Sequence, residues 1–232
     1  MLALGLDPSL RSFGYAIVDT EAPPQKRRVA SGHEGTLSLQ VPVARFIHFR
    51  EMIRGLLQKY EVDVVGIESP AYGGGVFSEH HFGLMMFSLE AVFEKRKDCV
   101  LFDPTTLKFL TGKATSTKMD MQRFVQLDTM SPSIIQNDEA DGYCIARFAA
   151  RFILTRDGKL PTADLSTNEQ KVFLTRSRKL KSATGVNIQK RTAHVFRENS
   201  RFFSFSKVPS GNILLPSKSQ IDPKLLAWLD AD

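Results

Sequence analysis

Short apolar runs alternate along the first two thirds of the chain with longer stretches in which apolar residues recur every three or four positions. The first run, Leu2-Ala3-Leu4-Gly5-Leu6, has the unbroken character of a buried central strand and ends on Asp7. Pro8 and Ser9 break the pattern. A turn over Ser9 to Ser12 leads into Phe13-Gly14-Tyr15-Ala16-Ile17-Val18, which predicts a second strand paired with the first as a hairpin. A polar, proline-containing connection from Glu21 to Arg28 precedes a weaker third strand over Val29 to Leu39. Val43 to Tyr60 then takes helical spacing, with Phe46, Phe49, Ile53, Leu56, Leu57 and Tyr60 on one stripe. Glu61 to Ile67 predicts a strand closing on Glu68, and Pro70 forbids its continuation.

The loop SPAYGGGVF over Ser69 to Phe77 carries two aromatics, Tyr72 and Phe77. Ser78 is placed to cap a helix to about Lys97, with Phe82, Met85, Met86, Leu89 and Phe93 at core spacing. Cys99 to Phe102 is a further strand, and Asp103-Pro104 opens a short helix to about Leu110 with Asp103 as its cap. Thr117 caps a predicted helix over Lys118 to Asp128. Asn137 to Arg156 is the last long helix, given an apolar body by Tyr143, Ile145, Phe148, Ala149 and Phe152. Early strands followed by strand and helix in alternation predict an α/β layer with helices on both faces.

Beyond Asp157 the texture changes. Gly158 to Glu169 reads as a linker. Between Lys171 and Arg201 nine basic residues stand against one acid, Glu198, with phenylalanines interleaved at Phe196, Phe202, Phe203 and Phe205. Pro209 to Asn212 suits a hairpin turn, and Lys224 to Leu229 a short helical turn bearing Trp228. The net charge of +6 and the isoelectric point near 9.4 favour a polyanionic partner, of which nucleic acid is the commonest. Cys99 and Cys144 lie in apolar runs and read as small buried hydrophobes. The five histidines show no metal-ligand spacing with them, so a zinc site is not expected. No signal peptide and no membrane-spanning run is read, so a cytoplasmic location is expected. There is no P-loop or dinucleotide fingerprint.

Candidate chemistry rests on acids. Asp7 and Glu68 each stand at a strand mouth, where a carboxylate is costly unless a cation or donors meet it. A spacing of three places Asp138 and Asp141 on one helix face, with Cβ atoms about 5–6 Å apart. Taken singly, Asp7 suits a turn cap and the pair suits a helix N-terminus. Taken together, four carboxylates are the donor set that Mg²⁺ or Mn²⁺ requires. Two such ions about 3.5–4 Å apart can activate a water and stabilise a leaving oxygen in phosphodiester cleavage.

Three stretches carry a resemblance. LGLDPSLRSFGYAIVD resembles the opening strand and hairpin of RuvC-type Holliday-junction resolvases, in the ribonuclease-H-like superfamily. VDVVGIES resembles that family's second acidic motif, and NDEADGYCIARFA its third, a D-x-x-D helix followed by small and apolar residues. They occur in the family's order and cover roughly residues 1 to 155. The resemblance implies an α/β ribonuclease-H-like fold with a five-stranded mixed sheet flanked by helices on both faces. A nuclease domain over residues 1–157 would carry a basic C-terminal extension over 158–232.

It implies further that Asp7, Glu68, Asp138 and Asp141 hold two Mg²⁺ ions, with Mn²⁺ able to substitute. Asp7 would bridge both ions, Glu68 would sit with one, and the helix pair with the other. Glu139 is the off-register competitor, turned about 100° from Asp138 on the helix. Lys108 and Lys118 fall where the family carries basic residues near the scissile phosphate, with Lys118 counted among the catalytic groups and Lys113 a further candidate. Solvated helix lysines would look the same. Arg11 in the first turn joins the DNA-contacting set. Tyr72 or Phe77 would wedge into the junction core, since stacking on a base contributes about 1–3 kcal/mol; they equally suit aromatics covering the core.

Two departures from the family stand out. Ser9 replaces the glycine usual after the D-P pair, and a backbone needing positive φ there would be strained, so a different turn is expected. The tail beyond Asp157 has no counterpart in compact members. Arg176, Arg178, Lys179 and Lys181 there would grip phosphates without reading sequence, or belong to a basic arm that folds only on DNA. An appended form of this kind suits a bacteriophage or other viral resolvase, acting in a bacterial cell or a phage-infected host.

The expected activity is that of a homodimeric endodeoxyribonuclease. It would resolve four-way junctions by paired hydrolysis, leaving 5′-phosphate and 3′-hydroxyl ends. The alternative is a ribonuclease-H-like nuclease acting on flaps, forks or RNA–DNA hybrids. The D-P-S-x-R-x-x-G hairpin is also similar to the phosphate loop of actin-like and sugar-kinase ATPases, but a second phosphate loop and a duplicated domain are missing. An architectural DNA-binding protein without catalysis ranks last, because ordered acids repel DNA in the absence of metal.

Overall fold

The computed structural model describes residues 1–8, 12–35, 42–69, 77–133 and 135–174, together with five short strand segments between 178 and 214. Leu2–Asp7 forms β1 and Ser12–Asp19 forms β2, an antiparallel hairpin with Leu4 opposite Ile17. Arg28–Gly35 is β3, antiparallel to β2. Val64–Glu68 is β4 and Asp98–Phe102 is β5, and β1, β4 and β5 run parallel as neighbours. The five expected strands thus make a mixed sheet in the order β3-β2-β1-β4-β5.

Among the described residues, the segment after the last long helix contributes five further short strands. Arg178–Lys181 (β6) and Asn187–Lys190 (β7) pair as a separate two-stranded ribbon. Ala193–Phe196 (β8), Phe205–Ser206 (β9) and Ile213–Leu214 (β10) extend the main sheet, β8 lying antiparallel along β5. The expected five-stranded sheet is thus present, and the C-terminal appendage continues it to eight strands among the described residues.

The helices are Pro24–Arg27 (α1), Pro42–Tyr60 (α2), Phe77–Glu94 (α3), Pro104–Thr111 (α4), Lys118–Thr129 (α5), Asn137–Arg156 (α6) and Thr167–Phe173 (α7). Among the described residues, no helix is long and apolar enough to cross a membrane.

Strand alternation sends successive side chains to opposite faces, and here the two faces differ in size. Leu4, Leu6, Phe13, Ile17, Val65, Ile67, Cys99 and Leu101 point to the side covered by α2 and α3. Ala3, Ala16, Val18, Val64, Val100 and Phe102 point to the other, where α6 lies with α4, α5 and α7. Glycines fill the places where α6 comes closest. A Cβ on Gly5 would stand 1.9 Å from the carbonyl oxygen of Gly142, and one on Gly14 would stand 2.1 Å from that of Asp138. Gly142 faces the backbone of Tyr15 and Ala16 in turn, and a Cβ on Gly66 would meet Ile145 at 2.7 Å. Helix α6 is therefore laid against the sheet almost backbone to backbone. Its buried residues run from Ala140 to Thr155.

Several local expectations need correction. The connection from Glu21 to Arg28 contains the single turn α1, opened by Pro24, and Arg27 at its end pairs with Asp128 at 2.7 Å. Asp128 also accepts from Tyr143 Oη at 2.5 Å and Arg147 Nε at 3.0 Å, clasping α5 to α6. Asp103 occupies the cap position of α4, yet its side chain makes no cap bond; the Ser69 hydroxyl reaches its carboxylate at 3.5 Å instead. Helix α3 begins at Phe77, so Ser78 falls inside its first turn and not ahead of it. By contrast, Thr117 closes a capping box with Asp120, as expected of a cap on α5.

The linker expected over Gly158 to Glu169 is packed structure. Ser166 and Glu169 form a capping box that starts α7, Glu169 pairs with Arg151 of α6, and Leu165, Val172 and Phe173 are buried in the α6-side core. Phe173 meets Phe152 edge-on at 5.3 Å. The signal was present in the S-x-x-E spacing ahead of an apolar pair.

The tightness of the α6 contact gives a direct test by urea unfolding. Gly5→Ala is expected to lose about 3 kcal/mol or more, since its new methyl group would press on the α6 backbone at Gly142 and Ala146. Gly55→Ala, at an exposed site in α2 with open space around its Cβ, is expected to gain about 0.5–1 kcal/mol.

Candidate metal centre

Asp7 is the last residue of β1 and Glu68 the last of β4. Because Leu6 lies beside Ile67 in that parallel pair, both acids leave the same end of the sheet as neighbours. Alternation also puts them on the α6 side, after Ala3 and Gly5 in one strand and Val64 and Gly66 in the other. The first turn of α6, seated on Gly14, brings Asp138 and Asp141 to the same place. Carboxylate oxygens of Asp7, Asp138 and Asp141 lie within 4.8 Å of one another. Glu68 lies outside that trio but within its electrostatic reach.

Such a gathering is strained while no cation offsets it. Burial first, then the charges of Glu68, Asp141 and Asp138, pushes the Asp7 carboxyl well above its ordinary range, with Lys118 pulling the other way. Burial and the Asp141 charge raise Glu68 to about 7, opposed by Lys108 and Lys118. Burial raises Asp141 to about 6. Asp141 is only 8% exposed, and its Oδ1 has no hydrogen-bond partner. A buried carboxylate oxygen left unpaired is expensive. The donor set is oxygen alone, with no imidazole or thiolate in the trio. These features fit a hard divalent cation such as Mg²⁺ or Mn²⁺.

The cations expected near a phosphate divide into two groups. Lys118, the first residue of α5, places Nζ 3.4 Å from Asp138 Oδ1 and 4.0 Å from Asp141 Oδ2. Partial burial works to lower its ammonium, but Asp141 and Asp138 override this and hold it above the usual value. Lys108, exposed on α4, bears on both Glu68 and Asp141. Lys113 is turned elsewhere: its amide donates to Ser116 Oγ and its charge acts on Asp120. Glu139 is excluded from the trio as its helical angle requires, and accepts from Ser31 Oγ on β3.

Arg11, Tyr72 and Arg176 lie outside the described residues, as does the turn containing Ser9. For Phe77, Arg178, Lys179 and Lys181 only the backbone is described, in α3 and β6. What sequence reading missed at the site is the role of the glycines. Gly5, Gly14, Gly66 and Gly142 set the distance between the acids, and small residues at alternate strand positions were their signal.

No family model matches the chain. It is 28% identical over 149 residues to the crossover junction endodeoxyribonuclease RuvC of Rickettsia conorii, covering 63% of this chain and 94% of that protein. It is 27% identical, with the same coverage, to the protein of that name from Rickettsia rickettsii. Thermus thermophilus RuvC superposes with a TM-score of 0.58 at 18% identity, over 68% of this chain and 98% of the other. Thermus thermophilus RuvC in complex with a Holliday junction substrate gives the same TM-score at 16% identity, over 68% and 97%. These likenesses show the fold.

A carboxyl raised on folding holds its proton more tightly in the folded state. The stability it contributes is present at low pH and is lost as pH rises from the unfolded value, about 4, through the folded one. With chelator present, the melting temperature is therefore expected to fall between about pH 4 and the Asp141 and Glu68 values of about 6 and about 7. At pH 8 Asp7→Asn, lacking one repelling charge, is expected to melt above the parent. Added Mg²⁺ should raise the parent's melting temperature and leave that of the variant nearly unmoved, as differential scanning fluorimetry will read.

Proposed function

The chain is RuvC-like in sequence and in fold, and from that premise we propose that it is an endodeoxyribonuclease that resolves four-way DNA junctions. The observation that carries the proposal is the convergence of Asp7, Asp138 and Asp141, with an unpaired buried oxygen on Asp141 and the Lys118 ammonium alongside. Asp7, Glu68, Asp138 and Asp141 would hold divalent cations, two Mg²⁺ per site, with Mn²⁺ able to replace them. Bound there, the cations would supply charge neutralisation at the scissile phosphate and activation of a water for in-line attack.

The chain's own residues do the rest. The four acids, fixed by β1, β4 and α6, define where the phosphate must lie. Lys118 offers a cationic donor on the side of Asp138 and Asp141, suited to a phosphate oxygen that becomes more negative as attack proceeds. Lys108 adds positive potential on the Glu68 side and draws the backbone in. Arg11, Lys113 and one of two aromatics, Tyr72 or Phe77, would extend the contact toward the crossover. In this reading residues 1–157 form the nuclease domain, and the first part of the extension, through α7, packs against it. The extension over 158–232 adds phosphate contacts through Arg176, Arg178, Lys179 and Lys181, with salt-dependent affinity. A homodimer would cut opposing strands in pairs, leaving 5′-phosphate and 3′-hydroxyl ends, in the cytoplasm of a bacterial cell or its phage-infected counterpart.

The test is cleavage of a synthetic four-way junction in Mg²⁺, run beside a Y-fork, a flap, an RNA–DNA hybrid and linear duplex. Symmetrically paired nicks in the junction alone are expected. Asp7→Asn and Asp141→Asn should abolish cutting while junction binding in a gel-shift assay persists. Lys118→Ala should slow it about 10²-fold or more. Preference for the hybrid or the flap would move the reading to a broader ribonuclease-H-like nuclease, and cutting that survives both acid substitutions in chelator would end it.

A further inference from the structure

Helices α5, α6 and α7 each carry an acid at their third position. In α5 that acid is Asp120 and in α7 it is Glu169, and each turns back to accept from the backbone amide at the start of its own helix. In α6 it is Glu139. There the cap residue, Gln136, makes no side-chain cap bond, and no capping box closes. Glu139 reaches outward to β3: Oε2 accepts from Ser31 Oγ at 2.5 Å, and Oε1 lies 3.5 Å from His33 Nδ1. Ser31 and His33 alternate along the strand and so share one face. The Glu139 side chain is 17% exposed.

From this arrangement we infer that Glu139 is a positioning residue for the metal centre, pinning the first turn of α6 to β3 so that Asp138 and Asp141 hold their places opposite Asp7. The inference rests on the metal-centre reading above. Asp138 is the residue immediately before Glu139, and its carbonyl is already pressed against β2 at Gly14. The turn is thus held on two adjoining strands, by backbone contact at β2 and by a side chain at β3. The forces it must withstand are set by the site itself, since Asp7, Glu68 and Asp141 repel one another and Asp138 joins them. A helix end without a side-chain cap frays easily. Here fraying would carry off a ligand. Glu139 itself stays outside the acidic trio, and its two oxygens face Ser31 and His33.

Partners that hold a ligand in place contribute about 10–100-fold to metal affinity when removed. Titration of Mn²⁺ alone into the full chain by isothermal calorimetry, without DNA, reads this directly. Glu139→Ala and Ser31→Ala are each expected to weaken Mn²⁺ binding about tenfold, and the double variant no further than either single one. Glu139→Gln, whose amide oxygen still accepts from Ser31, is expected to restore most of it. Thermal melts in chelator identify any variant that fails to fold, and the Gln variant keeps the comparison open in that case. Affinity in Glu139→Ala and Ser31→Ala within twofold of the parent would overturn the positioning role while leaving the metal centre intact. A parent that binds no Mn²⁺ would overturn both. A parent that binds Mn²⁺ but cuts no junction would sink the proposed activity alone, and the variants' affinities would still decide the role of Glu139.

Discussion

Everything at this site depends on how near one helix can come to the sheet. Ordinary helix–sheet packing keeps side chains between the two backbones. Across β1, β2 and β4 that layer is thinned to small side chains and gaps, because Gly5, Gly14 and Gly66 face Gly142, Ile145 and the Asp138 carbonyl. The loss of side-chain packing along this seam is offset on the opposite face, where Leu4, Leu6, Phe13, Ile17 and Ile67 are fully buried beneath α2 and α3. The close approach also decides the reach of the acids. Aspartate has one methylene, so Asp7 can meet Asp138 and Asp141 only if the two backbones nearly touch.

The electrostatics follow from that compression. Carboxylates that would each be comfortable at a surface are instead crowded and partly dried, and their protons are held more tightly as a result. Lys118 relieves only part of the charge. The contrast with Asp128 is instructive. That carboxylate is also substantially buried, and burial alone would raise it, yet Arg147, Tyr143 and Arg27 bring it below the usual range. One buried acid has been given every partner it needs, and the other three or four have been left short. A structural ion network and a ligand site differ in just this respect.

Much of the fold was legible because its signals are local. The apolar runs ending on Asp7 and Glu68, the Thr117 cap and the bounds of α6 all appear where periodicity and capping chemistry put them. The three-residue spacing of Asp138 and Asp141 was readable for the same reason, as was the exclusion of Glu139. The distance between α6 and β1 was not, since it depends on which face each glycine occupies once the strands are paired. The apolar run of β1 reads as uniform until its alternation of small and large residues is set against the corresponding alternation in β2 and β4. The packing of α7 was missed for a different reason: a seven-residue helix is too short for periodicity to show, and only its capping box marks it. The partner of Glu139 lies 108 residues earlier in the chain, beyond any local signal.

The junction between the acidic helix and the basic tail has a practical side. Arg151 on α6 finds its carboxylate partner in Glu169, and Phe152 finds its aromatic neighbour in Phe173. A shortened protein meant to lack only the cationic segment therefore has its boundary after Leu174 and not at Asp157, where α6 would be stripped of its support. Even that boundary removes β8 from the flank of β5, leaving a row of unsatisfied amides and carbonyls open to another chain. The tail is thus also a selvedge for the sheet, and solubility is the property a truncated form would surrender first.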